Sequence, residues 1–524
     1  MASRSTRDQL EDVADNCRQL GRRLDPVTQR VRSRFTVDTR ALAALRISLG
    51  LIILIDLFHR AGDLELYYTD DGVYPLVAYE TTYSRFTGLS LHAASGDLWF
   101  QQMMFVLAGL FAVALILGYR TRLVAIVSFV LLFSLHARNP AVLNGGDRLL
   151  RVLLLVALVT PLGERWSIDA LRRGTARTTV TSVATAALLA QPLAVFTTNA
   201  VLKHRGDTWY AGEALQIAFA SDEMTILLGN HLTAYPTLLE VLTWAWVTLL
   251  AGSVVFLLVT TGRVRAFFAL VYIGSFAGLL VSVSVGLFSL VLTAAVFPFL
   301  STPFWDTLTR LVPDRLLERR PSAAVLGPLA RSPLERRLLA SVRRRGHDSA
   351  ASFTVEFGRS LLTVVGVLLL VWILLFNVAH VTDVEVPAGL DYDQLDDQRW
   401  GLYAPDPSET YGWFVAEAEL DSDTTVDAFE GGDVVKDRPP DAAQEYDTFR
   451  ERKFMETVRT SGRTDTNNVT AENYAEWACD RSNEVHGGDV EQVTLYRMLQ
   501  SSPVDGEYED PRRMTIIEWD CHSS

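Results

Sequence analysis

Residues 179–209 read TVTSVATAALLAQPLAVFTTNAVLKHRGDTW, and the first charge in this stretch is Lys203. About 20 apolar residues suffice to cross the hydrocarbon core of a bilayer. The stretch therefore reads as a membrane-spanning helix that ends in a lysine. Similar runs lie near 41–58, 99–117, 121–137, 147–162, 238–259, 264–283, 286–302 and 360–380, which predicts nine spans. No short apolar core of a cleavable signal precedes them, since the first forty residues are polar and Arg-rich.

Charge divides the 524 residues into two unlike parts. Residues 381–524 carry 34 acids against 12 bases, and residues 1–380 carry 27 acids against 36 bases. The expected architecture is an all-α polytopic membrane bundle of about nine transmembrane helices, followed by a small, exported, acidic β-rich α+β domain. A basic tail (1–40), the bundle (41–302), an Arg/Pro-rich linker (303–359), a last span (360–380) and the acidic domain (381–524) divide the chain. A cytosolic single-domain enzyme is excluded, and so is a nucleic-acid binder with a uniformly basic face.

Arginine orients the bundle. It crowds the N-terminal tail, follows the second run (Arg120, Arg122), the fourth (Arg165, Arg172, Arg173, Arg177) and the sixth (Arg263, Arg265), and fills 303–359. With nine spans all of these share one side. Positive residues stay inside, which predicts a cytoplasmic N-terminus and a C-terminal domain outside the cell membrane. Only three lysines stand beside 45 arginines. With the acidic C-terminal part, that composition points to a high-salt source.

In the C-terminal part, 412–418 and 514–519 read as strands, and 442–460 and 470–502 as helical. Cys479 and Cys521 both fall there. A disulfide between them and a pair of free thiols are both open readings.

Charged groups within spans are costly and mark candidate sites. Arg46 and Asp56 are ten residues apart, roughly 80° around a helix, so each is expected to pair across helices. The outer loop Tyr67-Tyr68-Thr69-Asp70-Asp71-Gly72 would place Tyr68, Asp70 and Asp71 at a mouth. His136, Arg138, Asn139 and Asn144 crowd one membrane edge, with Asp147 read as the N-cap of the next helix. Asn199 and Lys203 share a helix face. Lys203 is the only lysine in a span, in a chain that otherwise uses Arg. A lysine, unlike an arginine, can shed its proton when buried and act as a base. No metal-ligand spacing is visible, and no metal is expected.

The ordered segments RFTVDTRALAALRISLGLIILIDL, YYTDDGVYP, ARNPAVLNGGDRLLR, PLGERWSIDA and NAVLKHRGDTW resemble the horizontally transferred transmembrane (HTTM) domain, shared with vitamin K-dependent gamma-carboxylase, over roughly 35–300. QRWGLYAPDP and GWF further on resemble the exported tail of such proteins. The resemblance implies a lysine, here Lys203, that deprotonates a reduced lipid quinone such as menaquinone. The quinone would react with oxygen to give a base that acts on an external secreted peptide or protein. With it goes a pocket read from the residues themselves, lined by Asn199, His136, Arg138, Asn144 and Asp147, with Tyr68, Asp70 and Asp71 at its mouth and Trp209 packed over it. Where the eukaryotic enzymes carry Asn-Asn-His, this chain carries Asn144-Gly145-Gly146-Asp147, with His136 and His204 as the nearby histidines. The competing reading is a lipid-binding or maturation scaffold whose exported domain captures a secreted partner.

Overall fold

The computed structural model describes residues 29–82, 88–311, 358, 360–375, 401–443, 445–461, 469–488 and 490–522. Most of the basic tail, most of the 303–359 linker (312–357 and 359) and the QRW part of the tail motif lie outside the described residues.

Among the described residues, six helices are long and apolar enough to cross a membrane: α1 (Thr39–Gly62), α2 (Leu98–Leu117), α3 (Thr121–Arg138), α5 (Val183–His204), α6 (Pro236–Val259) and α7 (Gly262–Ser282). Two of the nine expected spans differ, and the last, 360–380, lies partly outside the described residues. The run at 147–162 becomes α4 (Gly145–Leu158), 14 residues or about 21 Å, which is short of a ~30 Å core. Pro161 disfavours helix at the residue before it. The run at 286–302 becomes α8 (Phe288–Val296), and a turn at Phe297–Phe299 containing Pro298 separates it from α9 (Thr302–Leu311). The two arms meet at 103°, a broken span or re-entrant loop, and counting them as one gives up to seven spans. Of 360–380, the structure describes α10 (Ser360–Leu375).

Local chemistry starts these helices where they are needed. The Asp38 side chain accepts from the Arg40 amide to cap α1, and Ser182 with Thr185 forms a reciprocal capping box on α5. The paired strands β1 (Thr36–Asp38) and β2 (Thr179–Thr181) tie the two helix starts together. Packing of α1 against α2 depends on Gly50. A Cβ there would stand 2.5 Å from Ile116 and 2.9 Å from the Ala112 carbonyl, so only glycine permits this approach.

The C-terminal domain is a four-stranded antiparallel sheet of β3 (Thr410–Leu420), β4 (Thr425–Asp427), β5 (Val490–Ser501) and β6 (Arg512–Asp520), in the order β4-β3-β5-β6. It is joined by α11 (Phe449–Ser461) and α12 (Val469–His486). Side chains alternate faces along β3. Tyr411, Trp413 and Val415 pack with Met498 and Ala442 on one face, and Ala416 and Ala418 join the core with α12 on the other. The expected helix over 470–502 ends early. Gly487 and Gly488 take φ of 83° and 93°, which glycine adopts freely, and Val490, Thr494 and Tyr496 then suit a strand. Cys479 and Cys521 form a disulfide, with Cα atoms 5.5 Å apart.

The domain docks on the bundle end that carries the loops after α1, α3, α5 and α7. Phe454 meets Tyr67 at 5.4 Å between ring centres. Thr457 Oγ1 donates to the Ala141 carbonyl at 3.0 Å, and Arg452 to the Ser284 carbonyl at 3.0 Å.

Candidate functional site

Two features mark the docked end. The first is an apolar groove of about 610 Å³ between α5, α6, α7 and residues 402–403. Its lining along α7 runs from Val271 to Val283, about 18 Å at 1.5 Å per residue. Gly274 and Gly278 lie on this wall, and a Cβ at either would meet nothing within 4 Å. Trp246 and Phe196 form the inner side, while Leu238 and Leu242 are partly exposed at the rim.

Lys203 closes one end of the groove. It is buried, and its Nζ donates to the carbonyls of Leu402 at 2.7 Å and Tyr403 at 3.1 Å. Nζ also lies 3.5 Å from the centre of the Trp209 ring, whose Nε1 donates to the same Tyr403 carbonyl at 2.9 Å. These partners are neutral. An amine has two N–H donors and a lone pair, so two carbonyls satisfy the neutral form and leave the lone pair free. Asp406 anchors the 402–406 segment by accepting from the Thr208 amide at 3.0 Å and its hydroxyl at 2.5 Å. Partial burial raises the Asp406 carboxyl, but the hydrogen bonds from Thr208 and the Asp207 amide outweigh it and hold it below the usual range. Asn199, one turn before Lys203, also lines the groove and donates to the Val195 carbonyl at 3.0 Å.

The second feature is a buried ion network whose residues do not line the groove. Asp56 and Arg60 of α1, His136 of α3, Asp147 of α4 and Arg450 of α11 are all buried. Arg60 bonds Asp56 at 3.0 Å and Asp147 at 2.9 Å. Arg450 bonds Asp147 at 3.0 Å and also reaches Asp56. Two guanidinium groups thus balance two carboxylates. Asp147 is not the N-cap of α4. Asn144 is, accepting from the Gly146 and Asp147 amides, while Asp147 Oδ2 accepts from the Asn144 amide to complete a capping box. Asp147 Oδ1 accepts from both arginines, and Oδ2 accepts also from Arg450 Nη1 at 3.3 Å.

The expected single pocket is therefore two. Lys203, Asn199 and Trp209 come together at the groove, whereas His136, Arg138, Asn144, Asp147, Tyr68, Asp70 and Asp71 do not line it. Arg138 instead donates to the Tyr74 and Tyr68 carbonyls at 3.0 and 3.3 Å, holding the outer loop. Asn144 donates to the Val285 carbonyl at 3.1 Å, just behind the groove wall at Phe288. The Tyr68 hydroxyl accepts from Arg60. Asp70 Oδ1 accepts from the Leu76 amide at 2.8 Å, and Asp71 is exposed. His204 is exposed too, its ring edge against Tyr210. Asp56 does pair across elements, through Arg450, whereas Arg46 donates to the Trp166 carbonyl at 2.5 Å.

Sequence patterning alone does not single out Arg60, Arg450, Tyr403, Gly274 or Gly278. Arg60 was within reach, being four residues after Asp56 on one helix face. Arg450 lies 394 residues from Asp56 and carries no local signal.

A bundle of long apolar helices with buried charge at one end defines a polytopic integral membrane protein. The family model of the HTTM domain matches residues 35–305, more than half of the chain, and the protein belongs to the HTTM domain family. No curated protein and no solved structure matches it.

Proposed function

We propose that this protein binds a lipid with a hydroxylated head group, of the reduced-quinone class, in the groove, and that Lys203 is the base that acts on it. The lipid tail would lie along Gly274 and Gly278, and its head would meet Lys203, Asn199 and Trp209. The amine takes the proton of an acidic hydroxyl and becomes ammonium, with the Leu402 and Tyr403 carbonyls and the Trp209 face receiving the new charge. A carboxylase-like reaction on an external peptide or protein would follow at the face where the C-terminal domain docks. In this reading that face is outside, in keeping with the distribution of arginine.

The single observation that carries the reading is a buried lysine, bonded only to neutral carbonyls, at the end of a long apolar groove. Ligand sites are typically clefts of about 300–1,000 Å³, mostly apolar with a few convergent polar groups. The same contacts favour a second reading. Lys203 could be a tether that pins residues 402–403, making the bundle a scaffold for the C-terminal domain and a secreted partner.

Trp209 and Trp246 line the groove, so binding has an intrinsic reporter. Titration of the detergent-purified protein with a short-chain reduced menaquinone should quench tryptophan fluorescence saturably. Quenching that rises linearly, and equally for free tryptophan, would remove the lipid site and leave the tether.

A further inference from the structure

The groove makes no use of the network around His136. Among the described residues, both ring nitrogens of this buried imidazole lack a hydrogen-bond partner, and so does the buried Asp56 Oδ2. Nε2 lies 3.8 Å from Asp147 Oδ1 and 4.0 Å from Asp56 Oδ2, and one ligand atom from each of the three residues falls within 4.8 Å of the others. Zinc bonds imidazole nitrogen and carboxylate oxygen at about 2.0–2.2 Å, so two ligand atoms on one ion stand at most roughly 4.2 Å apart. The three side chains are spaced for a small divalent ion, slightly opened.

Charge decides when such an ion could sit there. With Arg60 and Arg450 in place the two carboxylates are already balanced. A divalent ion would then leave two positive charges in excess inside a membrane bundle, which is prohibitive. The two arginines are not equivalent. Arg60 is built into α1 beside Asp56, whereas Arg450 is brought in by α11 of the C-terminal domain. Its Nη2 contacts the same Asp147 Oδ1 that faces His136. Withdrawing Arg450 leaves Arg60 as the one arginine on that oxygen and the site one negative charge in excess, so that a divalent ion adds one net positive charge rather than two.

We propose that Asp56, His136 and Asp147 form a divalent-metal site of the zinc class, whose place is held by the Arg450 guanidinium while the C-terminal domain is docked. Metal and domain compete for the same side chains. A histidine among carboxylates contributes no bond to the arginine-filled state but supplies the nitrogen ligand of the metal-filled one. This inference does not depend on the lipid reading.

Cobalt(II) reports the site directly through its visible absorption. The full-length protein in detergent is titrated with cobalt as wild type, Arg450→Met and His136→Ala/Arg450→Met. The expected result is one cobalt per chain in Arg450→Met, with no band in wild type or in the double variant at the same concentration. A folded Arg450→Met protein that takes no cobalt overturns the proposal, as does binding that survives loss of His136 or that wild type matches. If Arg450→Met aggregates, it is expressed with added zinc. Recovery of monodisperse protein with zinc supports the site, and aggregation regardless of zinc overturns it.

Discussion

Replacing Gly278 by leucine separates the groove from the fold. Gly278 lies inside α7, and a Cβ there would meet nothing within 4 Å. The first added carbon therefore meets open space, and the substitution removes a glycine from a helix interior, a gain of up to about 1 kcal/mol. The added side chain projects into the groove that we assign to the lipid tail. Each ~100 Å² of apolar ligand surface kept out costs about 2.5 kcal/mol, roughly 70-fold in Kd. The assay pairs a thermal melt with fluorescence titration by a short-chain reduced menaquinone. Unchanged or raised Tm with affinity weakened at least tenfold is the expected outcome. A folded Gly278→Leu protein that binds as tightly as wild type would refute the assignment of the groove.

Other outcomes follow from the docked face and the sheet. Burial, followed by the charges of Glu451 and Glu430, pushes the Glu445 carboxyl up to about 7, and burial also raises Glu451, Asp63 and Glu223. Between the ordinary carboxylate range and pH 7 the folded state binds more protons than the unfolded chain, so stability falls as pH rises through this window. A melt of wild type between pH 5 and 8 should show that slope, and Glu445→Gln should flatten it. In the C-terminal domain, Cys479 and Cys521 are 42 residues apart, and a disulfide closing such a loop is worth about 4 kcal/mol in the chain-entropy model. Cys479→Ser should lower the Tm of that domain, and added reductant should lower it no further. Asp406→Ala should free the 402–403 segment, seen as faster modification of Lys203 by an amine reagent mapped by mass spectrometry.

Apolar runs made the long helices legible, because length and hydropathy are local quantities. They failed where a proline sets the end, as at Pro161 after α4 and Pro298 after α8. Strand β5 is hidden in the sequence because Glu491, Gln492, Leu495, Arg497, Met498 and Leu499 suit a helix as well, although Gly487 and Gly488 mark the break. Lys203, Asn199 and Trp209 were legible because one turn of helix and a short loop carry all three. The partition of the remaining polar residues was not. Asp147 looks like a cap from its neighbours, and only Arg450, folded back from the C-terminal domain, shows that it belongs to a buried ion network. Side chains that meet across hundreds of residues leave no spacing to read.

Oxygen-dependent turnover of a reduced quinone tests the central claim most directly. Detergent-purified wild type and Lys203→Arg would be given reduced menaquinone and oxygen, and epoxide would be measured, one water being released with each epoxide formed. The account predicts epoxide from wild type and none from a folded Lys203→Arg protein that still binds the lipid, since arginine cannot serve as the base. Equal turnover by the two proteins would contradict it.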